Sequence, residues 1–142
     1  MGKIWYKPFN IEEVNHRNHQ TLSSYLQITC IEIGEDYLKG QMKVTQKHMQ
    51  PNGIMNGGAS CVFAETLAST AANYCIDQEK FICVGLSLTT NHIKPAFPGY
   101  LFALAKPEHL GKTTQVWSID ITNEERKKIS LNRLTLAIVK KH

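Results

Sequence analysis

The stretch PNGIMNGGASCVFAETLAST, Pro51 to Thr70, contains two adjacent glycines, Gly57 and Gly58, and a single charged residue, Glu65. Both features could do chemistry. Glycines at a helix start let a ligand approach bare backbone, where the first-turn N–H groups have no intrahelical acceptor. Those amides carry the positive end of the helix dipole and suit an oxyanion. A lone carboxylate in an otherwise apolar segment suits a general base or a nucleophile, and burial there would raise its pKa. Asn56, just before the glycines, reads as the N-cap. Ser69, four residues after Glu65 on the same face, is placed to hold that carboxylate by a hydrogen bond. The structural alternatives are simpler: a tight entry turn for the glycines, and a glutamate reaching the surface at a groove.

Distance limits what one chain could do with this pair. The Gly57-Gly58 pair and Glu65 lie ~11 Å apart along a helix axis, whereas an oxyanion donor and a base must both come within ~3 Å of one carbonyl group. One helix cannot place both on one substrate. Two antiparallel copies can, so a joint catalytic role calls for a dimer with two equivalent sites.

The elements around the motif can be read from pattern. FNIEEVNHRN and TLSSYL read as short helices with Asn10 and Thr21 as N-caps. YLQITCIEIG alternates, with Leu26, Ile28 and Cys30 on one face, but Ile31 and Ile33 fall on the other, which implies a bulge or a strand apolar on both sides. YLKGQMKVT is its hairpin partner. Gly57 to about Ile76 is the one substantial helix. Four strands follow: FICVGLSLTTNHI, YLFALAKPEHL, TTQVWSIDIT and ISLNRLTLAIVK. Their turn-length links favour antiparallel, hairpin-type neighbours. A helix apolar nearly all round must be wrapped, so the fold expected is α+β, with about six curved antiparallel strands around one central helix.

At 142 residues the chain is long enough for one domain, taken as 1–142, with a sizeable core. The amino terminus lacks the apolar run of a secretion signal, and no window is apolar enough to span a membrane, so a cytoplasmic protein is expected. Tyr6 stands where a Met1-Gly2 myristoylation signal wants Ser or Thr. Cys30, Cys61, Cys75 and Cys83 show no C-x-x-C spacing and read as reduced, small hydrophobes. The histidines are scattered without H-E-x-x-H, the pair His16 and His19 reads as surface, and no metal site is expected. The net charge of +4 is spread along the chain without aromatic-basic interleaving, which argues against nucleic acid.

HMQPNGIMNGGASCVFAETLAS resembles the signature of small hot-dog-fold acyl-CoA thioesterases, H-x-Q-P-x-G-x-x-H-G-G-x-x-x-x-x-x-E. VGLSLTTNHIKP resembles that group's strand ending in Asn-His and a basic residue, and KPEHLGKTTQVWSIDI resembles its H-x-G-[RK]-x-x-x-x-W strand. The kin suggested are thioesterases acting on hydroxybenzoyl-CoA, 1,4-dihydroxy-2-naphthoyl-CoA or aryl groups misloaded on carrier protein. The resemblance implies hydrolysis of an aryl acyl-CoA or acyl-carrier-protein thioester without metal or cofactor, by a homodimer or homotetramer. Glu65 would be the catalytic carboxylate and the Gly57 amide the oxyanion donor. Gln50 would orient the acyl group or water, and Ser69 and His92 would line the same pocket. Lys94 and Lys112 match basic positions near the coenzyme A nucleotide. His48, His109 and Trp117 belong to the matched blocks, yet each has an adequate structural reading.

One departure is Asn56, where the family has histidine. An Asn amide can donate a hydrogen bond but cannot become a cation. Two other readings follow from it. One is a catalytically weak acyl-CoA-binding protein. The other is a hot-dog hydratase or dehydratase, which uses a histidine with an acid and is disfavoured by the absence of histidine at the helix entrance.

Overall fold

The computed structural model describes residues 4–142, so the Met1-Gly2 pair lies outside the described residues. Two short helices, α1 (Ile11–Arg17) and α2 (Leu22–Tyr25), precede the hairpin of β1 (Ile28–Ile33) and β2 (Leu38–Val44). After a 3-10 turn at Gln46–His48 comes the long helix α3 (Gly57–Tyr74). Then follow β3 (Phe81–His92), β4 (Gly99–Leu110), β5 (Thr114–Asn123) and β6 (Lys128–Lys140). All six strands pair antiparallel in one sheet, in the order β1-β2-β4-β5-β6-β3.

The local signals act where the residues place them. The Asn10 side chain accepts from the Glu13 amide at 2.8 Å, capping α1. At α2 the Thr21 amide donates to Ser24 Oγ at 3.1 Å. The mixed face of β1 resolves as a bulge: its register with β2 shifts between Cys30 and Glu32, leaving Cys30 in the core and Ile31 exposed. Along β5, Gln115, Trp117, Ile119 and Ile121 alternate inward. Trp117 is fully buried, and its Nε1–H donates to Gln115 Oε1 at 2.7 Å. The sheet curls around α3, whose Phe63, Leu67 and small alanines fill its hollow. Gly40 of β2 passes so close that an added Cβ would sit 3.0 Å from Leu67. His16 and His19 are exposed.

One expected pairing is absent. β3 and β4 are joined by a turn-length link but are not neighbours; β3 pairs with β6, at the sheet edge opposite β1. The reason is the wrapping itself, because α3 has to be covered from both sides and the chain leaving it enters at the far edge. The link, residues 93–98, instead crosses above the first turn of α3. There the Met55 amide donates to the Ala96 carbonyl at 2.8 Å and the Ile93 amide to the Ile129 carbonyl at 2.8 Å.

The four cysteines are unbridged. Burial pushes the thiols of Cys30 and Cys75 up to about 12 and that of Cys83 up to about 11, so these three carry essentially no thiolate at neutral pH. Among the described residues no helix is long and apolar enough to cross a membrane.

Candidate active site

The loop that leads into α3 is held by a buried histidine. The Thr45 amide donates to His48 Nδ1 at 3.0 Å, which makes that nitrogen the acceptor and leaves Nε2–H to donate to the Leu26 carbonyl at 2.7 Å. The His48 carbonyl in turn accepts from the Asn56 amide at 2.8 Å. His48 thus fixes the loop that presents Gln50 and Asn56, a structural role. Replacing it by alanine strands a partly buried amide and a partly buried carbonyl. His48→Ala is expected to lose about 2–3 kcal/mol of stability, lowering the calorimetric midpoint by roughly 5–10 °C. An unchanged midpoint would remove His48 from this role.

At the helix entrance, Asn56 Oδ1 accepts from the Gly58 amide at 2.8 Å, as an N-cap should. The Gly57 amide has no acceptor among the described residues. Its Cα lies under the His92 ring, and a Cβ at Gly57 would stand 2.9 Å from His92 Nε2. Only glycine fits there without displacing the imidazole. A histidine therefore does stand at the helix entrance, supplied by the end of β3, contrary to the expectation drawn from Asn56. Buried polar bonds hold that strand end. Thr90 Oγ1 donates to Asn132 Oδ1 at 2.7 Å, and Asn132 Nδ2 donates to the Ile119 carbonyl and to Ser130 Oγ, both at 3.0 Å.

Below the 93–98 link, beside the first turn of α3, is a cavity of about 430 Å³. Of the residues expected at a site it brings together Gln50, Gly57, His92 and Lys94. Gln50 Oε1 accepts from the Asn52 amide at 2.6 Å, which leaves its Nε2 as the donor. Ser60 also lines the cavity and is not among the residues the sequence singles out. Its i+3 spacing from Gly57, which puts both on one helix face, is the signal that points to it.

Other expected members lie apart within one chain. Glu65, expected away from water, is exposed, because the side of α3 that carries it faces the β3 edge and no strand covers it. Its carboxylate packs against Gly85 of β3 and has no hydrogen bond or ion pair among the described residues. The expected bond from Ser69 is not made. Ser69 lines a second cavity, of about 300 Å³, with Arg17, Asn73 and Lys141. Lys112 is exposed in the β4–β5 turn and lines neither cavity. His109 is exposed near the end of β4, packed over Gly111.

This geometry has relatives. A model of the thioesterase superfamily matches residues 52–130, from the entry loop through to β6. The 1,4-dihydroxy-2-naphthoyl-CoA hydrolase of Escherichia coli is 36% identical over 136 residues, covering 96% of this chain and 99% of that one. A thioesterase from Haemophilus influenzae superposes with a TM-score of 0.93 at 38% identity, covering 97% of this chain and 96% of that one. A mutant thioesterase from Pseudomonas aeruginosa reaches a TM-score of 0.96 at 32% identity, over 98% of this chain and 100% of that one. Both the helix wrapped in a single antiparallel sheet and the glycine entrance beside the cavity fall within these matches, and the chain belongs to the thioesterase superfamily, with the hot-dog fold.

Proposed function

We propose that the protein is an acyl-CoA thioesterase whose sites are shared between two copies of the chain. The observation that carries this reading is the position of Glu65, exposed against an unpaired strand edge. β3 is twelve residues long and ends the sheet, with Leu86 at a bulge and 62% exposed. A long apolar edge of this kind is a template for another strand. Glu65 packs at Gly85, toward the middle of that edge, and Gly57 at His92, its last residue. Bringing Glu65 to the partner's Gly57 therefore sets Gly85 beside the partner's His92. The two-fold axis then passes between Leu88 and Thr89, midway between 85 and 92.

In that arrangement the thioester carbonyl oxygen accepts from the Gly57 amide, with Gln50 Nε2 as a further donor. The partner's Glu65 supplies the electron pair, on the carbonyl carbon directly or through a water that it deprotonates. The carbonyl π electrons move to the held oxygen. Their return expels the coenzyme A thiolate, and water is consumed to give acid and thiol. Lys94 at the cavity mouth, with Lys112 on the surface, suits the phosphates of the nucleotide arm. Asn56 gives its side-chain oxygen to the cap, which leaves a neutral amide donor where a cationic histidine would stand. The name of the Escherichia coli relative supports an aryl acyl group. A carrier-protein thioester fits the same chemistry.

His92 beside Gly57 supports a second reading, a hot-dog hydratase that pairs histidine with an acid. Free-thiol release measured over a panel of aryl and aliphatic acyl-CoAs, beside enoyl absorbance, separates the two. Thiol release that persists in chelator is expected. Tight binding without release from any member would leave a binding protein.

A further inference from the structure

Ser60 is a buried polar group of the cavity for which the mechanism above has no use. It is fully buried, and its Oγ has no hydrogen-bond partner among the described residues. Hydroxyls inside helices commonly bond the carbonyl four residues back, as Thr70 does to Thr66 at 2.7 Å. The equivalent acceptor for Ser60 is the Asn56 carbonyl, which accepts from the Ala59 amide at 2.9 Å but receives no bond from the Ser60 hydroxyl. A buried hydroxyl left unbonded is destabilising, so its retention calls for a partner supplied from outside the chain.

The cavity gives that partner a place. Its other polar lining residues, Gln50, His92 and Lys94, are half-buried or exposed. The walls around Ser60 are apolar: Met55, Ala96 and Ile129 are buried, and Ile54 is partly so. Ser60 stands one turn beyond Gly57 on the same helix face, ~4.5 Å further along the axis. With the carbonyl oxygen on the Gly57 amide, the Ser60 hydroxyl meets an acyl group roughly two to four bonds from the carbonyl carbon.

Resting on the thioesterase reading, we infer that Ser60 is a specificity-determining residue, whose hydroxyl bonds a hydroxyl or keto substituent on the near part of the acyl group. A site that pairs a buried polar group with a substrate hydroxyl discriminates against the analogue lacking it, because that analogue leaves the group unpaired.

The test is kcat/KM on matched pairs: benzoyl-CoA against its 2-hydroxy and 3-hydroxy forms, and hexanoyl-CoA against 3-hydroxyhexanoyl-CoA. The wild type is expected to favour the hydroxylated member of at least one pair by about tenfold or more. Ser60→Ala should remove that preference by lowering the hydroxylated rate ~10–100-fold while the unsubstituted rate changes little. Ser60→Cys, close in size but a weak donor, should do the same if the alanine variant fails to fold. Equal changes on both members of every pair, or no preference in the wild type, would overturn the inference. Absence of thiol release by the wild type from every member would sink the thioesterase reading, and this inference with it.

Discussion

Glu65→Gln is expected to cut thiol release from a good acyl-CoA substrate by ~10³-fold or more, at unchanged fold and oligomeric state. The substitution keeps size and polarity but removes the negative charge and the basic electron pair. No hydrogen bond of the chain is lost with it, since the Glu65 carboxylate makes none among the described residues. The melting temperature should therefore stay close to that of the wild type while turnover disappears. The same variant tests the sharing of the site. Gly57→Ala drives a Cβ into the His92 ring and so obstructs the other half. Each variant alone should be inactive. Co-expressed, they form mixed dimers in which one site pairs an intact Glu65 with an intact Gly57, and about half the activity per mixed dimer should return. A mixture as dead as its components would place both groups of a site in one chain and end the two-copy mechanism.

The second large effect concerns no catalytic group. Val84→Asp with Leu86→Asp puts two carboxylates on the exposed β3 edge, next to Glu65. About an axis between Leu88 and Thr89, pairing of the edge with its copy would bury these carboxylates without a counter-charge, and that cost opposes association. Light scattering should then report a 16.1 kDa monomer, and thiol release should fall by ~10²-fold or more although every residue of the cavity is intact. A monomer that turns over at the wild-type rate would refute the arrangement. Val84 is 40% and Leu86 62% exposed in the single chain, so loss of folding is not expected.

Local patterns in the sequence carry much of this architecture. The glycine pair with its asparagine cap, the alternation along β5 and the slip in β1 all depend on neighbours within a few residues. What lies beyond such patterns is long-range. The turn-length link between β3 and β4 suggests a hairpin, but closure around α3 sends β3 to the opposite edge, a consequence of topology that no local spacing encodes. That same closure brings His92 over Gly57 across more than thirty residues of chain. Glu65 looks destined for the interior because its neighbours in sequence are apolar, yet the single chain leaves it uncovered on the side where the sheet stops. Ser69 shares its helix face, but its surroundings are set by α1 and the carboxy-terminal strand, which the helical spacing does not reveal.

The strap at residues 93–98 has a further consequence for how this protein can diversify. Its main chain is fastened to β6 by the Ile93 amide, which any residue but proline would supply, and to the loop before α3 by the Ala96 carbonyl, which every residue has. The side chains it hangs over the cavity are therefore free to vary without loosening those fastenings. Under the thioesterase reading, acyl preference can drift through the roof while the floor and Glu65 stay constant.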